Sequence, residues 1–421
     1  MRILFVLDKL PYPPRDGETV PTFNDLIRLS RGNDVSLLIL HDKGIHLEKR
    51  ELVANRQYVQ DFWVVKRKKM SKPRAIINEL TLRNPYFLSW RYDERSMRAF
   101  MEDRSFEVVW VSPFINADVI FSVNQILQER PSYICVPHDC TTAMLRSMKK
   151  LAGAGKKEAA TTVNGVQRWL RSWLMAPMEA KILDLYDLVV MQTEKDKDWL
   201  ARISRGRLNR KVLIAPNGVE DVLFDIPIDR RGKDILYFGS LGEWAQYNFL
   251  WFLEQVWPEV RSFCEDTRLF VVSRNAPQNI VERLAMDERI QYRTYLADIK
   301  DVFRNKALSV APIFKNFGLI NKVVESMAAG VPVVGDSGSF NGIPDFQGGW
   351  HGIVANDRRS TVEGIRKLLD CDAERFDMAH RARELVRDHF SWEKRAHVIQ
   401  VRLSEVIEEG RNIVRRSVVR R

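Results

Sequence analysis

The chain has 421 residues, of which 45% are hydrophobic, 29% charged and 10% aromatic. At about 100–200 residues per domain this predicts two or three domains with cores of their own, and it excludes a disordered or collagen-like chain. The formal charge of +11 is concentrated in three patches, Lys66–Arg74, Ala143–Met175 and Arg411–Arg421, so the remainder is net acidic, and with no zinc-finger, RRM or helix-turn-helix signature a nucleic-acid partner is excluded.

In chain order, short apolar strands alternate with helical stretches in two series. The first series has strands near Arg2–Leu7, Asp34–Leu40, Asp61–Val65, Glu107–Ser112, Tyr133–Pro137 and Asp187–Gln192, with amphipathic stretches such as Thr22–Ser30 and Pro177–Leu185 between them. The second opens near Lys211–Ala215 and continues at Asp234–Phe238, Arg268–Ser273, Arg289–Tyr292, Ala307–Pro312 and Val331–Gly335, with helices such as Phe249–Phe263 and Asn321–Ala329. Strands apolar on both faces and separated by helices predict parallel sheets covered on both sides. The expected class is α/β, with two Rossmann-like doubly wound domains facing a cleft. The expected domains are 1–205 and 206–390, followed by a helix and basic tail at 391–421. In such sheets ligands bind beyond the carboxyl ends of the strands.

No window reaches the roughly 18–20 apolar residues of a membrane span, and the opening apolar run ends at Asp8 and Lys9. With four scattered cysteines and no disulfide framework, the expectation is a reducing, cytoplasmic setting. Two basic patches also carry apolar residues. Trp169, Leu170, Trp173 and Leu174 are interleaved with Arg168 and Arg171, and the tail carries Ile413, Val414, Val418 and Val419. That mix suits a helix on an anionic bilayer, and equally a solvated helix packed on its own domain.

The sharpest motif is Gly318-Leu-Ile-Asn-Lys322-Val-Val-Glu325-Ser-Met-Ala-Ala-Gly330-Val-Pro-Val-Val334, read as a loop, a short helix from Asn321 and a strand. A glycine in the loop lets backbone approach a ligand, and the free N–H groups of Gly318, Leu319, Ile320 and Asn321 at the helix start suit a diphosphate. Lys322 puts a cation where the dipole alone favours an acid, which makes sense if an anion sits there. Glu325, one turn on, could accept from two ribose hydroxyls. A core helix with a surface ion pair is the other reading.

This segment resembles the nucleotide-binding motif of GT-B glycosyltransferases of the large retaining family 4. Six further segments fit in the same order: Leu10-Pro-Tyr-Pro-Pro14 with Gly17, Thr193-Glu-Lys-Asp196, Pro216-Asn-Gly-Val219 before Phe224, Tyr237-Phe-Gly-Ser-Leu241, Val310-Ala-Pro312 and Phe390-Ser-Trp392. The resemblance implies a sugar transfer from a nucleotide sugar to an acceptor hydroxyl with retained configuration, by a metal-independent hexosyltransferase needing no cofactor. It also implies a C-terminal helix that returns to the first domain.

Two positions depart from that family. Phe317 stands where its donor motif has a first glutamate, and the loop Gly239-Ser240-Leu-Gly-Glu-Trp-Ala-Gln246 lacks the usual arginine and lysine. Lys315, Lys322 and Arg274 are the candidate replacements for holding the leaving phosphates. In the first domain, Pro137-His138-Asp139 follows a strand, where a histidine of similar enzymes faces the donor sugar or acceptor. Gly17 lets the first loop approach the donor, with Asp16 and Glu18 as acceptor contacts. No H-E-x-x-H and no G-x-G-x-x-G after the first strand is present, so metal chemistry and a simple dehydrogenase are disfavoured. The expected catalytic groups are therefore His138, Asp139, Arg274 and Lys322, and Gly239, Ser240 and Glu325 join the donor site. The expected partners are a nucleotide-sugar donor, a sugar or lipid-linked glycan acceptor and an anionic membrane surface, in polysaccharide or glycolipid biosynthesis. An epimerase on the same architecture and a non-catalytic nucleotide- or sugar-binding relative are the alternatives.

Overall fold

The computed structural model describes all residues except 43–48, 72–89, 147–161, 229–231, 295–297, 315–317 and 420–421, and omits the side chains of 49–52, 162–171, 243–244 and 412–419. The chain divides into two compact units, Met1–Pro216 with Trp392–Arg421, and Asn217–Ser391.

The first unit is built on an eight-stranded sheet. Its strands are β1 (Arg2–Leu7), β2 (Asp34–His41), β3 (Asp61–Lys69), β4 (Trp90–Tyr92), β5 (Val108–Val111), β6 (Ser132–Cys135), β7 (Leu188–Met191) and β8 (Val212–Ile214). Their order is β4-β3-β2-β1-β5-β6-β7-β8, parallel throughout except for the antiparallel edge pair β3–β4. Side chains alternate across a strand, so β1 feeds two cores. Leu4 and Val6 pack on one face with Leu38, Leu40, Val109 and Val111, while Ile3, Phe5 and Leu7 pack on the other with Leu37, Ile39 and Trp110. The second face is sealed by the C-terminal helix Trp392–Val419 through Ile399, Leu403, Val406 and Ile407. That helix is anchored by a buried pair in which Arg395 Nε and Nη2 donate to the two Asp25 carboxylate oxygens at 2.7 and 2.8 Å. Arg395 also donates to the Ala215 carbonyl.

The second unit has a six-stranded, wholly parallel sheet. Its strands are β9 (Asp234–Phe238), β10 (Leu269–Val272), β11 (Ile290–Arg293), β12 (Lys306–Ala311), β13 (Val333–Gly335) and β14 (Ile353–Val354), in the order β11-β10-β9-β12-β13-β14. Ile235 and Tyr237 of β9 enter one core, and Leu236 enters the other.

Three features differ from the sequence expectations. The strand near Lys211–Ala215, expected to open the second series, is β8 and pairs with β7 from Val189–Val212 to Met191–Ile214. The units accordingly meet at Pro216/Asn217 rather than after residue 205, and 391–421 is not separate: the helix from Trp392 belongs to the first unit. The helix expected as one stretch over Phe249–Phe263 is interrupted by a π segment at Phe252–Val256 between Glu243–Trp251 and Trp257–Phe263. Pro258 explains this, because it has no N–H to donate and its ring crowds the carbonyl four residues earlier. Among the described residues, no helix is long and apolar enough to cross a membrane.

Candidate functional site

In the second unit, parallel order places the loops after β9, β10 and β12 at one edge of the sheet, since β10, β9 and β12 are neighbours. The loop after β12 is held by Asp336. Its Oδ1 accepts from the Ile313 and Phe314 N–H groups at 2.9 Å each, and its Oδ2 accepts from Gly338 N–H at 2.8 Å. Asn248 Nδ2 donates to the Ile313 carbonyl at 2.6 Å. Gly318 then adopts φ of +70°, a conformation that side-chain-bearing residues enter at a cost. The chain next enters the helix Asn321–Ala328 with Ile320 at its N-cap and no side-chain cap. Nothing on its own side chains satisfies the first N–H groups, and their positive field is available to an anion.

Lys322 and Glu325 stand on this first turn as an i,i+3 pair at 3.1 Å, with side chains 44% and 22% exposed. Lys322 Nζ also lies 4.0 Å above the centre of the Phe238 ring, at the end of β9. An ion pair this exposed contributes about 1 kcal/mol at most. A diphosphate, offering two or more charge-assisted bonds, can displace it.

Asn321 is occupied locally: its Oδ1 accepts from Asn217 Nδ2 at 3.3 Å, tying the Pro216-Asn-Gly turn to the helix start. Leu319 is buried in the core with Val323 and Met327, so only its backbone remains for a ligand. After β9, the Ser240 hydroxyl and the Asn275 side chain lie 2.9–3.1 Å apart, and Asn275 Oδ1 accepts from Leu241 N–H at 3.2 Å. Those bonds join the β9 and β10 loops, and Arg274, next to Asn275 in the chain, is exposed. A Cβ on Gly239 would meet nothing nearer than Tyr237 at 3.9 Å, so no neighbour within the chain demands glycine there. Lys315 and Phe317 lie outside the described residues.

The first unit carries the second group of candidates, at the carboxyl ends of β1, β5 and β6. His138 has φ of +70° and is buried. Its Nε2 is hydrogen-bonded to the Ser112 hydroxyl at 2.9 Å, with Thr22 Oγ1 at 3.5 Å. Its Nδ1 is buried with no hydrogen-bond partner among the described residues. Burial, reinforced by the nearby Arg395 guanidinium, pushes its pKa down to about 4, so the ring is neutral at pH 7. A non-glycine residue in this conformation costs of order 1–3 kcal/mol and persists where the surroundings enforce it. Asp139 beside it is partly buried and draws the imidazole pKa back up.

In the first loop, Asp16 and Glu18 are bonded within the loop itself. Asp16 Oδ1 accepts from the Glu18 and Thr19 N–H groups at 3.0 and 2.8 Å, at the start of the helix Thr19–Leu29. Lys9 pairs with Asp16 at 3.2 Å and with Glu18. Burial alone would push the Asp16 carboxyl up, but these bonds outweigh it and hold it below its usual value. Gly17 is exposed and a Cβ there would meet nothing within 4 Å.

The basic patches also change character. Arg67 is buried, donating to Asn116 Oδ1 at 2.6 Å, 3.5 Å from Asp8 and 4.1 Å above the Trp90 ring. Strand alternation turns it inward while Lys66 and Lys68 face out. Lys72 and Arg74 lie outside the described residues, as do the side chains of Arg168, Trp169, Leu170, Arg171, Ile413, Val414, Val418 and Val419. Trp173 and Leu174 are exposed.

Phe238, Asn275, Asp336, Ser112 and Thr22 are the residues that sequence reasoning missed. Phe238 alone had a local signal, since it directly precedes the Gly239 loop.

Residues 232–371 match the family model described as glycosyl transferases group 1. The whole chain has the GT-B fold. It is similar to sucrose-phosphate synthase from Thermosynechococcus elongatus at 15% identity and a TM-score of 0.65, covering 97% of this chain and 100% of that one. It is also similar to Anabaena HepE, solved in complex with UDP-glucose, at 14% identity and a TM-score of 0.62, covering 96% and 100%. For TarM the values are 9% identity and a TM-score of 0.63, covering 96% and 98%. No curated protein matches by sequence. The chain thus has the GT-B fold, and the segment that matches the group 1 glycosyl transferase model lies wholly in its second unit.

Proposed function

We propose that the protein transfers a sugar from a nucleoside diphosphate sugar to an acceptor hydroxyl. The observation that carries this reading is the uncapped Asn321 helix, entered through Gly318 and bearing Lys322 and Glu325 on its first turn, inside the segment that matches the group 1 family. The diphosphate binds at the Gly318–Lys322 N–H groups, Glu325 turns from Lys322 to the ribose hydroxyls, and Lys322 and Arg274 neutralise the departing phosphates. Donors fixed at the place where charge develops supply about 3 kcal/mol of barrier reduction each, which lets the site work without a metal ion. HepE, solved with UDP-glucose, supports a nucleotide-sugar donor.

The acceptor binds on the first unit, at His138 and Asp139. His138, neutral at pH 7 and held by the Ser112 hydroxyl, and the partly buried Asp139 form that part of the site. Retention of configuration and a hexosyl donor follow from the motif resemblance. Exposed Trp173 and Leu174, next to a run of basic residues, favour a lipid-linked acceptor at an anionic membrane face in cell-surface glycan assembly. Flotation with anionic vesicles checks that part, and absence of binding would remove it.

The principal test is a thermal-shift panel of nucleoside diphosphates and nucleotide sugars. One base is expected to raise the melting temperature, and Glu325→Ala to abolish the rise without changing the unliganded value. Equal shifts in the wild type and Glu325→Ala would sink the assignment.

A further inference from the structure

We propose that Phe238 is a positioning residue of the donor site: its ring holds the Lys322 ammonium at the carboxyl end of β9 as an uncancelled positive charge for the diphosphate, and keeps it there when Glu325 turns away. The inference rests on the glycosyl-transfer reading and deepens it, by assigning the group that aims its phosphate-neutralising cation.

The placement follows from the strand. Side chains alternate along β9, so Phe238 shares a face with Leu236. That face carries the core entered by Val323, Val324 and Met327 of the Asn321 helix, and Phe238 packs partly buried at its edge. Its ring makes a T-shaped contact with the buried Phe303, the centroids 5.4 Å apart and the planes at 88°. Aromatic pairs favour that arrangement, which restrains the ring. Lys322 Nζ lies 4.0 Å from the ring centroid, well inside the roughly 6 Å over which a ring quadrupole attracts a cation.

Two groups hold this ammonium, with opposite consequences for an anion. Glu325, at 3.1 Å, neutralises Lys322 and competes with a phosphate for it. An aromatic face restrains the ammonium without cancelling its charge. The lysine stem is long and flexible, so a Lys322 released by Glu325 and held by nothing else would sample many positions. The Gly239–Gln246 loop that follows the ring contains no lysine or arginine. Phe238 thus brings to the end of β9 a cation that the loop itself does not carry.

The test is a double-mutant cycle on the full chain, read by isothermal titration with UDP, GDP, ADP, CDP and dTDP. The wild type should bind at least one of them. Phe238→Leu should weaken that binding about threefold or more, whereas Phe238→Tyr, which keeps the ring, should stay within about twofold. In the Lys322→Met background, Phe238→Leu should make less than about a twofold difference, because the ring acts through the lysine. A second readout needs no ligand. In protein labelled with carbon-13 at the lysine ε position, the NMR signal that Lys322→Met removes should be displaced upfield by the ring, and Phe238→Leu should return it to the position of the other lysines. An undisplaced signal, unchanged affinity in Phe238→Leu, Phe238→Tyr as weak as Phe238→Leu, or an undiminished loss in the Lys322→Met background each overturns the role of the ring and leaves the donor reading standing. No binding of any of the diphosphates to the wild type overturns the donor reading and the role of the ring with it, even where the lysine signal is displaced.

Discussion

At the scale of single residues, His138 combines a left-handed backbone, burial and a bare ring nitrogen. Its folded pKa of about 4 lies below the usual 6.5, so the unfolded chain binds the extra proton first. The stability it contributes is present above pH 6.5 and is lost as the pH falls towards 4, by on the order of 3 kcal/mol. His138→Asn, which tolerates the same backbone, should flatten the fall in melting temperature between pH 6.5 and 4.5; an unchanged slope would contradict the burial argument. Glu179 runs the other way. Burial pushes it up to about 7, despite bonds from the Thr141 and Thr142 N–H groups at 2.8 and 3.2 Å. Its contribution is therefore full below about pH 4.5 and gone once the pH has risen through 7, and Glu179→Gln should remove that slope in the same scan. His138 could be picked from the sequence because it follows a strand and precedes an acid. Ser112, which holds it from 26 positions away, has no such signal.

At the scale of elements, the C-terminal helix adds one buried ion pair to its apolar face. Arg395 and Asp25 are 1% and 2% exposed, and removing either leaves a buried charge unpaired. Arg395→Met is expected to cost about 3–5 kcal/mol in urea unfolding, and pairing it with Asp25→Leu should recover much of that. A loss below 1 kcal/mol would mean that the helix is held by its apolar face alone. The loop before Asn321 makes a separate prediction. Gly318→Ala meets a left-handed penalty of about 1–2 kcal/mol, and the loop is expected to escape it by leaving that conformation. Nucleoside diphosphate affinity should therefore fall roughly tenfold while unfolding loses less than the full penalty, and an unfolding loss of the whole penalty with affinity retained would contradict this. Elements were legible where periodicity alone decides them, as in β1, β2 and β12. They were not legible where pairing decides them. Trp90–Tyr92 is a three-residue edge strand with an arginine at its centre, and Ile353–Val354 is too short to show a period. Asp336 reaches a loop 22–23 residues earlier, a contact that no local pattern encodes.

At the scale of the whole molecule, the second unit is continuous in sequence and the first is not. Val219 N–H donates to the Phe390 carbonyl at 3.3 Å, so the ends of 217–391 are joined within their own unit. With a core on each face of its sheet, a fragment of 217–391 should fold alone and keep nucleoside diphosphate affinity within about tenfold of the full chain, the free-energy equivalent of about 1.4 kcal/mol. A fragment that folds but does not bind would show that the first unit supplies donor contacts. The two-sheet architecture was readable from two series of doubly apolar strands. Their border was not, because Val212–Ile214 has the same apolar character whichever sheet it joins, and only its pairing with β7 assigns it.

The most direct measurement is a crystal structure of the full chain soaked with the nucleoside diphosphate that raises its melting temperature. The account predicts phosphate density against the N–H groups of Gly318 to Lys322, with the ribose on Glu325 and the Lys322–Glu325 pair opened. Density elsewhere in the molecule, with that pair still closed, would contradict it.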